Sequence, residues 1–425
     1  MESKPGINVM NEVKTDCDFD PKSILAPEAQ SRILQEIQTV SGVETVSLRQ
    51  AINRITAEPV TSSVQVPNHT NSAMDGYALR GEDLEHNREG NFEIIGTSMA
   101  GARYEGKVSQ NQCVRIMTGA VMPDGTDTVI AQERTLVDSG NMRLDGKLRP
   151  GENVRQSGED IDVGDTAIQA NVKLGAAQLG LAASLGISEL LVFRKPRVAF
   201  FSNGDELRSI GSALELGDVY DSNRYTLYTM LKEMDVELLD LGIVPDDPEK
   251  IKQALLTGSE SADMVITSAG ASVGDADYVK ELLDEIGEVN FWKVAIKPGR
   301  PLSFGKIGGA TFFGLPGNPV SVMVTFQIFV KPALRKLAGE KSATSLNLSV
   351  KCLSKLKKRA GRMEYQRGIL SLDENGETVV QSTGEQGSGI LTSMAQANCF
   401  IILSQDSEGV DPGDRVLVQP FAGVI

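Results

Sequence analysis

Apolar residues first recur at helical spacing over residues 27–40, where Ile33, Leu34 and Ile37 form a stripe behind Pro27, a residue suited to a first helical turn. The same spacing predicts a second helix, capped by Ser47 and carried by Leu48, Ala51, Ile52 and Ile55, with Pro59 ending the pair. From about residue 64 to residue 159 the pattern changes to short runs, FEIIG, CVRIM and DTVIA, separated by Gly, Asn, Asp and Pro; this predicts a small β-rich domain. Helix returns over 175–185. Between 195 and about 337, RVAFFSN, VELLDLGIV, DMVITS and VNFWKVAI alternate with helical stretches at 222–234, 248–256 and 277–286. Strands apolar on both faces, alternating with amphipathic helices, predict a mostly parallel sheet covered on both sides. Beyond residue 345, LNLSVKCL, YQRGIL, CFIILS and RVLVQPF, joined by turns such as DENGE and DPGD, predict a C-terminal β-barrel or sandwich. The fold class is therefore multidomain α/β plus β.

Composition narrows the chemistry. The 425 residues, 40% hydrophobic, supply several cores, about three or four domains at roughly 100 to 200 residues each. A net charge of −15 disfavours nucleic acid and anionic membranes as partners. The four cysteines, Cys17, Cys113, Cys352 and Cys399, show no Cys-x-x-Cys pairing, which argues against a disulfide framework and fits a reducing compartment. With only two histidines, His69 and His86, catalysis has to rest on carboxylates, lysines and backbone groups. The polar segment 1–22 reads as a flexible extension without a targeting signal, and the longest uncharged apolar stretch, 319–330, is too short to span a bilayer; a cytoplasmic protein is expected.

Ligands of open parallel sheets sit outside the carboxyl ends of strands, which directs attention to three loops. In the first, Ser202-Asn203-Gly204-Asp205-Glu206, two carboxylates flank a glycine turn; a plain strand-to-helix cap is equally consistent. The second runs from Thr267 to Asp277 in small residues, with Ser268, Gly270, Ser272 and Gly274 able to bring backbone amides to a phosphate. The third contains Pro316, Gly317, Asn318, Pro319 and Ser321 and opens a helix. Lys293 and Lys297 lie four residues apart, on one face if the chain is extended there, and Arg300 follows in KPGRP. With Asp246 and Asp277 they suit an anion held with a divalent cation, although two solvated lysines are the commoner meaning of such a pair. Asp75 in NSAMDGYA, Thr118 in RIMTGA and Asp160 in GENVRQSGEDI occupy turns that are ambiguous one by one, Asp-Gly being also a hairpin signal.

Taken in order, NSAMDGYA, RIMTGA, GENVRQSGEDI, SNGDEL, YDSNRY, SAGASVGDAD, FWKVAIKPGRP, GLPGNPVS and GEQGSGILTSMAQAN resemble the molybdopterin molybdenumtransferase (MoeA) family, which includes the C-terminal part of gephyrin. The resemblance covers about residues 23 to 425. It implies an elongated homodimer in which residues 23–62 and 160–194 form one discontinuous domain and 63–159 a β-rich insert. An α/β domain similar to molybdopterin adenylyltransferases (195–344) and a C-terminal β-barrel (345–425) follow. The cleft would lie between the α/β domain of one subunit and the insert of the other. Asp75, Thr118 and Asp160 would complete a site made mainly by Glu206, Asp246, Asp277, Lys293 and Lys297, with Arg367 and Ser388 matching further positions tied to function.

The implied reaction takes adenylylated molybdopterin and molybdate, with Mg2+, to molybdenum-loaded molybdopterin and AMP. Glu206, Asp246 and Asp277 would serve the metal, Lys293 and Lys297 the anions, and the small-residue loop the pterin phosphate. A molybdopterin adenylyltransferase is the implied source of the substrate. Two positions depart from the family pattern. Ala269 stands where glycine is usual and Ala271 where valine is, which puts a positive φ at residue 269 in question; Asn203 replaces a common threonine. Two other readings remain: a molybdopterin adenylyltransferase, and a scaffold that binds molybdopterin without turning it over.

Overall fold

The computed structural model describes residue 20 and residues 22–87, 90–269, 277–341 and 346–421. Two compact units divide the chain, one of residues 44–192 and the other of residues 1–43 with 193–425. Helix α1 (Ala26–Glu36), with proline at its start, buries Ala26, Ala29 and Ile33. It stops before residue 40, because Ile37 turns to extended geometry (φ −76°, ψ 127°) and, with Val40, is buried in that form.

The second predicted helix is absent. Ser47 closes a strand (Val43–Ser47), and a single turn follows in which the Ala51 N–H donates to the Ser47 carbonyl at 3.0 Å. Asn53 then takes a left-handed φ of 63°, and Ile55 enters an antiparallel bridge with Lys173. Ala51 and Leu48 pack with Ile168, Leu174 and Leu190, whereas Ile52, the intended stripe residue, is 56% exposed. Tertiary burial produced the apolar spacing, with no helix to account for it.

The same unit contains a six-stranded sheet of β1 (Gly76–Leu79), β2 (Asn91–Ser98), β3 (Gln112–Ile116), β4 (Thr128–Ala131), β5 (Thr135–Asp138) and β6 (Asn141–Leu144), in the order β4-β1-β3-β2-β6-β5. Only β2 and β3 run parallel. Helix α2 (Ala176–Ser184) falls where predicted. The Asp75-Gly76 pair makes no hairpin; Gly76 begins the inner strand β1 and pairs with both Ile116 and Ala131.

In the other unit the predicted sheet forms from β7 (Arg197–Asn203), β8 (Glu237–Val244), β9 (Met264–Ser268), β10 (Gly287–Lys293), β11 (Pro301–Ile307) and β12 (Ala310–Leu315), ordered β8-β7-β9-β12-β11-β10. The first four in that order are parallel, and β11 and β10 are antiparallel additions. Residues alternate between faces: Val198, Phe200, Met264, Ile266 and Phe313 join one core, Ala199, Phe201, Val265 and Phe312 the other. Burial on both sides is why these runs carry no polar period. The covering helices are α3 (Ser222–Glu233), α4 (Pro248–Ser261), α5 (Asp277–Ile286), α6 (Pro319–Thr325) and, after a π-helical turn, α7 (Lys331–Leu337). Asp221 and Asp247 cap α3 and α4 by accepting the Arg224 and Lys250 amides.

The C-terminal strands β13 (Leu348–Cys352), β14 (Met363–Leu372), β15 (Thr378–Ser382), β16 (Cys399–Leu403) and β17 (Arg415–Pro420) close on themselves, in the order β14-β15-β13-β17-β16 and back to β14. The barrel is thus the outcome, with Val350, Val380, Ile401 and Val418 among its core residues. Cys113, Cys352 and Cys399 are buried thiols, and among the described residues no helix is long and apolar enough to cross a membrane.

Candidate functional site

Strands β7 and β9 end side by side, with Ser202 opposite Ser268. The Ser268 hydroxyl donates to Ser202 Oγ at 2.9 Å, and Ser202 donates to the capping carboxylate of Asp221 at 3.0 Å. All three side chains are buried, so Ser268 supports the loop from below. Next to it, Asn203 links two neighbouring loops: its Nδ2 donates to Asp246 Oδ1 and its Oδ1 accepts the Thr267 hydroxyl, both at 3.1 Å. The Asp246 amide in turn donates to Asp205 Oδ1 at 3.1 Å. Glu206 is exposed and folds back over the turn, where a Cβ at Gly204 would come within 2.7 Å of its carboxylate. Asp205, Glu206 and Asp246 therefore place acids at the carboxyl end of β7 and β8, although among the described residues no three such groups converge closely enough to hold a metal by themselves.

Of the small-residue loop, Gly270, Ser272 and Gly274 lie outside the described residues, as does the side chain of Asp277, whose backbone begins α5. Ala269 is described, and it does take a left-handed φ, 73°. The third loop abuts it. A Cβ at Gly317 would lie 3.6 Å from that of Ala269, and Asn223 Nδ2 donates to the Gly317 carbonyl at 2.7 Å. Gly317 and Asn318 are exposed, Pro319 is half-buried, and Pro316 and Ser321 are buried. Ser388 joins the same wall through its backbone, its carbonyl accepting the Val320 N–H at 3.1 Å.

The cationic turn meets this wall at Gly299, whose φ of 97° brings it against Thr325 of α6. Lys293 and Lys297 are not two points on one straight strand. Lys293 ends β10, whereas Ile296 and Lys297 pair in parallel with Met363 and Glu364 of the barrel. Lys297 Nζ lies 3.2 Å from the buried carboxylate of Glu364. Arg300 forms an ion pair with Asp20, and Lys293 Nζ stands 4.0 Å from the same carboxylate. Arg367 is 1% exposed; its Nε donates to Ser393 Oγ at 3.0 Å and another guanidinium nitrogen to the Gly387 carbonyl at 2.9 Å. Burial pushes its guanidinium down to about 10. Arg367 thus has its charge enclosed, and it acts on the loop that carries Ser388.

Asp75 and Thr118 come together in the smaller unit. Asp75 Oδ1 accepts both the Thr118 amide and its hydroxyl at 2.7 Å, and the amide bond first, then the hydroxyl, hold the carboxyl below its usual range. Asp160 sits in another turn, its N–H donating to the Val66 carbonyl at 3.1 Å. Sequence reasoning missed Asp20, Glu364 and Asp221. A glutamate inside the strand run MEYQRGIL was a readable sign of Glu364; Asp20, in a polar tail, gave none.

Comparison with known proteins adds the family. The description "MoeA N-terminal region (domain I and II)" matches residues 24–186, "Probable molybdopterin binding domain" matches 199–336, and "MoeA C-terminal region (domain IV)" matches 349–421. The chain is 41% identical over 396 residues to the molybdopterin molybdenumtransferase of Haemophilus influenzae, covering 93% of this chain and 98% of that protein. It is 35% identical to gephyrin of Dictyostelium discoideum, over 92% of this chain and 61% of that protein. A crystal structure of the molybdopterin biosynthesis protein moeA from Pyrococcus horikoshii matches with a TM-score of 0.80 at 27% identity, covering 94% of this chain and all of that one, 100%. With three consecutive matches that together span most of its length, the chain belongs to the MoeA family.

Proposed function

We propose that this chain is the enzyme that loads molybdenum onto molybdopterin, taking adenylylated molybdopterin and molybdate to the molybdenum-bearing pterin and AMP. One observation carries the reading: Lys293, Lys297 and Arg300 flank a turn whose Gly299 packs against Thr325 and Ser321 of α6, the helix opened by the Gly317 and Asn318 loop. Both substrates are oxyanions, and in a protein of net charge −15 a local group of three cations is where they are drawn. Lys297 neutralises charge developing on the departing AMP, and Lys293 and Arg300 hold the incoming oxyanion. Positioning and electrostatics supply the rate, as in phosphoryl transfer.

Glu206 and Asp246, with Asp277, offer hard oxygen donors of the kind Mg2+ takes. Mg2+ commonly takes one or two protein carboxylates together with substrate phosphates, which is the role proposed for these acids. Held by those carboxylates, Mg2+ would supply charge neutralisation on the pyrophosphate. Asp75 and Thr118 serve the same site from a second copy of the chain, a homodimer being supported by the exposed Ile210, Leu214, Leu216, Val219 and Tyr220 beyond Glu206. The substrate is handed over by a molybdopterin adenylyltransferase. Molybdate-dependent AMP release from the adenylylated pterin tests the reaction. Lys297→Ala protein that released AMP at the parent rate, or a parent protein that bound the pterin and released none, would refute it, the second outcome favouring a scaffold.

A further inference from the structure

Lys293 and Arg300 share a carboxylate that comes from far away in sequence. Asp20 pairs with Arg300 and stands 4.0 Å from Lys293 Nζ. Backbone contacts fix the approach. Ile24 bridges Val294, its N–H donating to the Lys293 carbonyl at 2.9 Å and its carbonyl accepting the Ala295 N–H at 2.8 Å. A turn follows from the other side: the Asp20 carbonyl accepts the Ser23 N–H at 2.8 Å, and its side chain accepts the Lys22 amide at 2.9 Å. That amide first, then the charges of Arg300 and Lys293, holds the Asp20 carboxyl below the usual carboxylate range. Arg300 keeps one donor in reserve, its Nε being buried without a hydrogen-bond partner among the described residues.

We propose that the Asp20 carboxylate occupies the place of the oxyanion between Lys293 and Arg300 and has to be displaced before that oxyanion binds. The inference rests on the reading of these two residues as an anion site. A carboxylate and an oxyanion seek the same donors, and two anions within one such contact repel each other. The cluster is partly open to water, Asp20 at 27%, Lys293 at 45% and Arg300 at 39% exposure, so the internal pair is weak enough to yield. Asp20 thereby sets the affinity of the site and favours anions that engage both cations over those that reach one.

The test is calorimetric titration of the full-length protein with molybdate. Removing the Asp20 charge tightens binding about 2- to 5-fold, the range expected of a partly exposed ion pair. Asp20→Asn and Asp20→Ala should both show it, which separates the charge from any contact made by the new amide, and Asp20→Glu should return to the parent value. Unchanged or weaker binding in Asp20→Asn and Asp20→Ala, with parental thermal melting, overturns the inference. Lys293→Ala in the same titration tells the two readings apart. If it loses binding while Asp20→Asn matches the parent, only the role of Asp20 falls; if it binds like the parent, the anion site falls and this inference with it.

Discussion

Asp75 and Lys297 are both exposed charges fixed by one close partner, and the kind of partner differs. Asp75 is held by the neutral amide and hydroxyl of Thr118, with Arg115 only a weaker influence, so most of its negative charge remains available. Lys297 is held by the Glu364 carboxylate, and Lys293 and Arg300 share Asp20, so that part of the charge on the cationic side is already answered. Neutral donors orient a charge without spending it, whereas a counter-ion orients and masks together. The acid is ready to meet a cation or a donor, while the charge of the cationic turn is partly answered by carboxylates of its own.

The largest effect is expected beside Asp75, where Gly76 leaves no room for a side chain. A Cβ at Gly76 would lie 1.8 Å from the Ile130 carbonyl oxygen of the neighbouring strand β4, a backbone clash that no rotamer relieves. Gly76→Ala should destabilise the protein by about 4 kcal/mol, read by denaturant unfolding. Next in size, Lys297→Ala should lower molybdate-dependent AMP release about a hundredfold. It also strands the buried Glu364, at a stability cost of about 1 kcal/mol given how exposed the lysine is. Adding Glu364→Gln should restore the melting temperature and leave turnover low; recovery of both would mean that Lys297 only neutralises Glu364.

Thr118→Val sharpens the other side by removing one of the two donors to Asp75. Because the folded-state pKa is depressed, its contribution to stability is present above the ordinary carboxylate value and is lost as pH falls through the lower folded value. With the hydroxyl gone that contribution shrinks, so stability near neutrality should fall slightly and the difference from the parent should vanish as pH drops below the folded value. Turnover should fall by about tenfold at most, the Thr118 amide still being in place. Smallest of all, Ala269→Gly should stabilise the protein by about 0.5 to 1 kcal/mol, since a φ of 73° suits glycine better than alanine. A loss of stability there would show that the alanine methyl packs usefully against the Gly317 loop.

Much of the architecture was readable because burial leaves a period. The parallel strands were found as unbroken apolar runs, and the barrel as runs separated by turn residues. Where burial came from elsewhere in the chain the period misled: Leu48, Ala51 and Ile55 imitate a helix, and the antiparallel strand Pro301–Ile307, opened by proline and interrupted by Gly305 and Lys306, gave no clear run. The charged residues were found by type and spacing, but their pairing was hidden. Lys293 and Lys297 look equivalent in the sequence, yet the chain turns at Ala295 and delivers them to different sheets with different acids. Ion pairs between residues as distant as 20 and 300 leave no local pattern to read.

The ten-residue strand β14 closes the barrel and also accepts Ile296 and Lys297 along one edge. Two jobs on one strand make the C-terminal module more than an appendage. A chain cut before Leu348 would keep every strand of the parallel sheet and forfeit the rail on which the Lys297 turn is mounted, so exchanging barrels between relatives would exchange that mounting along with them.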